Sequence, residues 1–299
     1  MKPAARTLGL FRVAFYATVF LIYFGLDDRP WTRVSPAFWM PVSVFRFLDG
    51  PPRDALWMGV SQTVWKVSLL ASAAGVLTRF STFVSAALAV YLLGLPQNFG
   101  KIDHMDGIVV ILLGILFVSR CGDGVSVDNF LSRKIPGTAP REAEPVEYRW
   151  PIVLGQVLFT LVFFAAGVAK LRVSGLAWMS SGNLRHLLIE HQYTHAPLTD
   201  AGLIAARSTM VCGGAAILTI VLELSMPLAV LSRRLRWPLL IALLFLQIGI
   251  ALALGVYFTP YLAGYLLFVP WERWPPRFLT RSRPTVPEVS GGTRTARPA

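Results

Sequence analysis

Charge is scarce in this sequence. Only 15% of its 299 residues are Asp, Glu, Lys or Arg, while 55% are hydrophobic. Soluble domains carry roughly 25% charged residues, so the chain lacks the polar surface that covers a water-soluble globule. Cysteine is scarcer still. Cys121 and Cys212 are the only two, and they fall at opposite ends of their apolar runs. That placement argues against a disulfide, and no CxxC is present for redox or metal work. Histidine is limited to four residues and no HExxH occurs, which removes a common zinc-hydrolase pattern. The net charge is +12, yet no nucleic-acid motif accompanies the excess.

Long apolar runs are what the chain has instead. About 20 apolar residues span a bilayer. Eight apolar segments stand out, at roughly 8–26, 55–77, 80–96, 107–120, 150–170, 208–231, 237–256 and 258–270. They predict an all-α fold, a polytopic integral membrane bundle of about eight transmembrane helices. Lys2 and Arg6 ahead of Leu8–Leu26 imitate a signal peptide. The run is long, however, and LDDRPW follows it without a small-x-small cleavage site, so a retained first helix is expected. Residues 1–278 form the expected membrane domain. Residues 279–299, rich in Arg, Pro, Thr and Gly, read as a basic disordered tail.

The basic residues orient the bundle. Seventeen Lys and Arg fall in one alternating set of connections and nine in the other. By the positive-inside rule both termini are then cytoplasmic in a plasma membrane, with 27–54, 97–106, 171–207 and the turn near Tyr257 outside. The positive charge is thus read as topology rather than as a nucleic-acid surface. Two of the outer segments look like interfacial lids against membrane lipid. Residues 27–54 interleave Trp31, Phe38, Trp39, Phe45 and Phe47 with charges, and 182–195, GNLRHLLIEHQYTH, sets leucines at helical spacing.

A few polar residues could carry chemistry. FFAAGVAKL ends the fifth apolar segment on Lys170. Its small residues let neighbouring helices approach, so the amine would emerge into a tight interhelical space. It then either snorkels to the headgroups or serves as a desolvated base. His104, flanked by Asp103 and Asp106 in NFGKIDHMDG, sits either at a capped helix entrance or as a carboxylate-held proton carrier. His186, His191 and His195 cluster with Glu190, and a solvated amphipathic face explains them better than a metal does. Arg12, Lys66 and Glu223 lie inside apolar runs. Intramembrane charges usually pair, and similar depth predicts Lys66 with Glu223.

AAGVAKL followed by Trp178 and Gly182, DHMDG before an apolar helix, and VSVDNFL after it resemble the membrane domain of vitamin K-dependent γ-carboxylase. They also resemble the wider horizontally transferred transmembrane domain family. LFR at Leu10–Arg12, GVLTR at Gly75–Arg79, ELS at Glu223–Ser225 and PWERWPPR at Pro270–Arg277 add to the likeness, which runs over about residues 7–278. The resemblance implies that Lys170 is the base that deprotonates a reduced, vitamin K-like quinone at the outer face. His104 and Asp103 would assist the proton transfer, and Trp178, Arg12 and Gln247 fall at substrate-binding positions. It implies lyase or oxidoreductase chemistry, with no metal. This chain departs from the family in several places. It has Ala169 where a lysine precedes the base, Asp103 where there is an asparagine, and Gln247 where there is a histidine. It also shows no counterpart of the large lumenal domain, so a lipid-soluble small substrate is expected ahead of a protein one. Support for the maturation or export of a secreted peptide, without catalysis, and transport along Lys66 and Glu223 are the other two readings.

Overall fold

A computed structural model of the chain describes residues 3–100, 105–135, 144–195 and 197–273. All regular structure among them is helical. Twelve α-helices run as α1 (Pro3–Ile22), α2 (Ala55–Ala74), α3 (Thr78–Gly94), α4 (Gly107–Val118), α5 (Val127–Ser132), α6 (Pro145–Ser174), α7 (Ser181–Thr194), α8 (Ala201–Ala206), α9 (Thr209–Ser225), α10 (Leu228–Leu231), α11 (Arg233–Leu254) and α12 (Tyr261–Tyr265). Four helical stretches are long and apolar enough to cross a membrane: Pro3–Ile22, Thr78–Asn98, Pro145–Met179 and Arg233–Leu254. Gly107–Val118 and Thr209–Ser225 are apolar but shorter. The eighth predicted segment contains only the short α12 and a 3-10 turn, Leu266–Phe268. Pro260 and Pro270 bracket its helical part, and a proline cannot donate the amide that would extend a helix across it.

Local signals set the helix ends. Asp54 caps α2 by accepting the amides of Leu56 and Trp57 at 2.8 and 3.1 Å, the usual work of an N-cap carboxylate. Gly75 ends α2 at φ 72°, a left-handed position that glycine takes without strain. A side chain there would also collide with Ser126 and the Arg12 guanidinium. Pro145 opens α6 at its first position, where the missing amide costs nothing.

Packing divides the bundle into two regions. The large core joins α1 to α4, the first two thirds of α6, the end of α9 with α10 and the first half of α11, and α12. Ser85 of α3 faces Ser68 and Ser72 of α2 at 2.9 and 3.2 Å, so small hydroxyls hold that seam closed. Gly264 of α12 lies against the Phe159 ring, and Gly155 of α6 against Leu267. At the far end of α6, a smaller cluster of Leu188, Ala206 and Cys212 ties α7, α8 and α9 together. Outside both cores the helices show apolar stripes, such as Leu56, Val60, Val64 and Val67 on α2 and Ile241, Phe245, Ile248 and Leu252 on α11. Exposed apolar faces of that extent fit lipid better than water.

The two segments read as lids are helical in part. Residues 27–54 form three 3-10 turns. They are pinned to the α3–α4 connection by Met40 N donating to Asn98 O, Val42 N donating to Asn98 Oδ1, and Trp31 stacked on Phe99 at 5.0 Å. Residues 182–195 fall in α7 and the residue after it.

Candidate functional site

Lys170 sits in the penultimate turn of α6 and meets α9. The reason is Gly167, one turn earlier. A Cβ on Gly167 would lie 3.1 Å from Glu223 Cβ and from Leu224 Cδ2, so a larger residue would press the neighbours back by a few tenths of an ångström and glycine favours this close approach of the two helices. The approach brings the Glu223 carboxylate onto the Lys170 ammonium, as a hydrogen-bonded ion pair through Oε1. The Glu223 side chain is 8% exposed and that of Lys170 is 27%. The pair therefore has one dry end and one end that a ligand can reach.

An aromatic face covers the amine. The backbone leaves α6 through Gly175 at φ 56° and enters a 3-10 turn, Gly175–Met179. That turn places the Trp178 ring 5.1 Å from Lys170 Nζ, within the range of a cation–π contact. Asn183 Nδ2 donates to Trp178 O at 3.2 Å and so fixes the turn to α7. The second Glu223 oxygen, Oε2, is buried and has no hydrogen-bond partner among the described residues. A buried acceptor left without a donor costs free energy.

The structure brings some predicted residues together and separates others. Trp178 joins Lys170. Lys66 does not pair with Glu223, and the expected clasp between them is corrected. Lys66 Nζ donates to Leu26 O at 3.2 Å and lies 6.0 Å from the Phe24 ring. The physical reason is neighbourhood: α2 packs mainly on α1 and α3, whereas α9 packs on α6 and α7, so the nearest cation to Glu223 is Lys170.

Arg12 is fully buried and is not part of the Lys170 group. Its Nη1 donates to Cys121 O at 3.0 Å, and its Nη2 donates to Ala73 O at 3.4 Å and to Val125 O. It clamps α1, the end of α2 and the connection after α4. Gln247 accepts the Tyr265 hydroxyl at 3.0 Å, with its Nε2 buried and unpartnered among the described residues. Asp103 and His104 lie outside the described residues.

The histidines after Lys170 do not converge on one point. His191 and His195 stack with ring centroids 4.2 Å apart. His191 Nδ1 contacts Leu254 O at 3.1 Å, and His195 Nδ1 contacts Thr194 Oγ1 at 2.8 Å. No cluster able to hold a metal occurs among the described residues.

Sequence reasoning missed two features. Tyr23 donates its hydroxyl to Asp106, a link between the end of α1 and the entrance of α4. Asp28, 2% exposed in the connection after α1, has its carboxyl raised to about 6 by burial. No spacing rule points to either, because both depend on how distant segments pack. Asp28 stands in LDDRPW at the start of the segment read as an interfacial lid, where nothing local marks it as buried.

No family model, curated protein or solved structure matches the chain.

Proposed function

We propose that the chain is a membrane-embedded enzyme of the carboxylase-like kind, which removes a proton from the hydroxyl of a reduced quinone or similar lipid-soluble substrate. In this reading eight apolar segments cross the plasma membrane, both termini are cytoplasmic, and Lys170 lies near the outer face beside the α7 lid. The observation that carries it is the Lys170–Glu223 pair, with its buried, unpartnered Oε2 and the Trp178 face beside it. An aromatic hydroxyl fits that set, with its ring against the indole and its O–H toward the pair.

Glu223 and Lys170 act as one unit. With a shared proton on the carboxyl, Lys170 Nζ holds a lone pair and takes the substrate's hydroxyl proton, becoming an ammonium. The neutral Glu223 carboxyl stays in hydrogen-bond contact, and the substrate's own oxyanion, formed beside the new ammonium, balances its charge in a region of low dielectric. Trp178 excludes water from the exposed side of the amine and stabilises its charged form. A bound reduced quinone would supply the acidic hydroxyl and the electrons for any following oxygen chemistry. His104 and Asp103 keep the assisting role that the resemblance gives them.

The test uses the purified full chain under anaerobic conditions, titrated with menadiol while the absorbance of its ionised form is followed. Wild type is expected to bind and ionise it near neutral pH. Lys170→Arg keeps the positive charge but cannot act as a base, because guanidinium stays protonated, so ionisation should be lost while binding persists. Equal ionisation by wild type and Lys170→Arg refutes the proposal.

A further inference from the structure

A second site stands out where α11 begins. Arg233 and Arg236, from the first turn of α11, and Arg273, from the 3-10 turn Trp271–Arg273, line one cavity of about 420 Å³ together with Trp237 and Trp271. The arginines come from segments some forty residues apart in sequence, so no local repeat explains their convergence. One acidic residue, Glu272, lines the same cavity, which leaves the lining with a net positive charge.

The cavity walls are held in place. Arg236 Nε donates to Ala229 O at 3.0 Å, which anchors the guanidinium by one edge and leaves its Nη groups for a ligand. Trp271 Nε1 donates to Leu266 O at 2.9 Å, and Gln156 Nε2 donates to Leu267 O at 2.8 Å. Among the described residues Arg233 and Arg273 form no side-chain hydrogen bond or ion pair with each other, with Glu272 or with any other residue. The amino end of a 22-residue helix also opens here, capped in part by Ser232 accepting the Leu235 amide at 3.4 Å, and its dipole adds positive potential. Ile152, Leu267 and Phe268 supply an apolar wall to the same cavity.

We propose that this cavity binds the phosphate headgroup of an anionic phospholipid, with the acyl chains along the apolar wall. Guanidinium groups recognise phosphate oxygens in a bidentate manner, which accounts for three arginines at one place. Tryptophans flanking a basic cluster suit the headgroup level of a bilayer, and basic pockets between membrane helices hold acidic headgroups. A free phosphate would use the arginines but not the two indoles or the apolar wall. The site is distinct from the Lys170–Glu223 pair and does not depend on its function.

Native mass spectrometry of the delipidated full chain in detergent tests this with phosphatidylglycerol and phosphatidylcholine of identical acyl chains. Wild type should retain one phosphatidylglycerol about tenfold more tightly than phosphatidylcholine, a modest fraction of what three basic contacts can supply. Each arginine near a headgroup is worth roughly fivefold, so Arg233→Gln/Arg273→Gln should weaken phosphatidylglycerol about 25-fold and phosphatidylcholine, whose phosphate sits beside its own cation, only about two- to threefold, which abolishes the preference. Arg46→Gln/Arg53→Gln, in the connection before α2, should bind as wild type does. Should the double variant fail to fold, Arg233→Gln and Arg273→Gln singly are each expected to show the fivefold step. Equal affinity of wild type for the two lipids, unchanged binding in the arginine variants, or equal loss in the Arg46 and Arg53 control overturns the proposal. Complete displacement of phosphatidylglycerol by millimolar inorganic phosphate would reassign the site to a free anion and overturn it as well.

Discussion

Removing the ammonium from the Lys170–Glu223 pair should be costly, and removing both charges should be cheaper than the sum. Lys170→Met leaves the Glu223 carboxylate, 8% exposed, with no cation. Breaking a fully buried pair costs about 3–5 kcal/mol. The 27% exposure of Lys170 lets water screen part of the loss, so about 2–3 kcal/mol is expected here. Glu223→Gln should cost a similar amount, because it strands the ammonium against α9. The double variant Lys170→Met/Glu223→Gln has no stranded charge and should lose only about 1–2 kcal/mol, which implies a coupling of roughly 2–5 kcal/mol. Unfolding free energies from SDS titration in mixed micelles can be followed with a thiol-reactive dye, since Cys121 and Cys212 are free and buried. The same cycle built on Lys66→Met and Glu223→Gln should be additive to within about 0.5 kcal/mol, as for residues that do not touch. Additive losses in the first cycle, or coupling in the second, would refute the pairing and with it the proton unit built on Glu223.

Three further outcomes are expected. Arg12→Met should destabilise the chain by more than about 3 kcal/mol, because three backbone carbonyls lose a charged donor in a fully buried place, and the same dye should report early exposure of Cys121. Asp28 is raised when folded, so its protonated form favours folding. Its contribution is present below about pH 4 and lost as pH rises through about 6. Asp28→Asn should therefore unfold at a temperature that gains on wild type between pH 4 and pH 7, and a constant difference across that range would remove the burial argument. In a background without native cysteines, Phe47→Cys and Gly182→Cys should label with an impermeant thiol reagent on intact cells and Ile135→Cys should not. Labelling of the Ile135 probe would reverse the orientation on which the outer-face site rests.

The all-helical character was legible from composition and run length, because a chain short of charge must satisfy its backbone polar groups within its own helices once water is excluded. Helix ends were legible less closely: the apolar run 55–77 passes the end of α2, which Asp54 opens as N-cap and Gly75 closes in a left-handed conformation. Segment length was read less well. The 258–270 run is apolar throughout, yet prolines at 260 and 270 confine it to a five-residue helix and a 3-10 turn. Apolarity records the solvent a segment suits, whereas helix length also needs an unbroken supply of amides.

The site divides along the same line. Sequence alone determined that Lys170 would end an apolar helix among small residues, because helical order and side-chain size are local properties. It also brought Trp178 near, since eight residues and one tight turn separate the two. Only the tertiary structure decided the partner of Lys170. Glu223 lies 53 positions away, and from sequence it was as well placed for Lys66. Which cation it meets depends on Gly167 admitting α9 against α6 while α2 packs elsewhere. Charge attraction acts on whatever packing brings within a few ångströms, and that packing is a property of the whole bundle, written into no single segment of the chain.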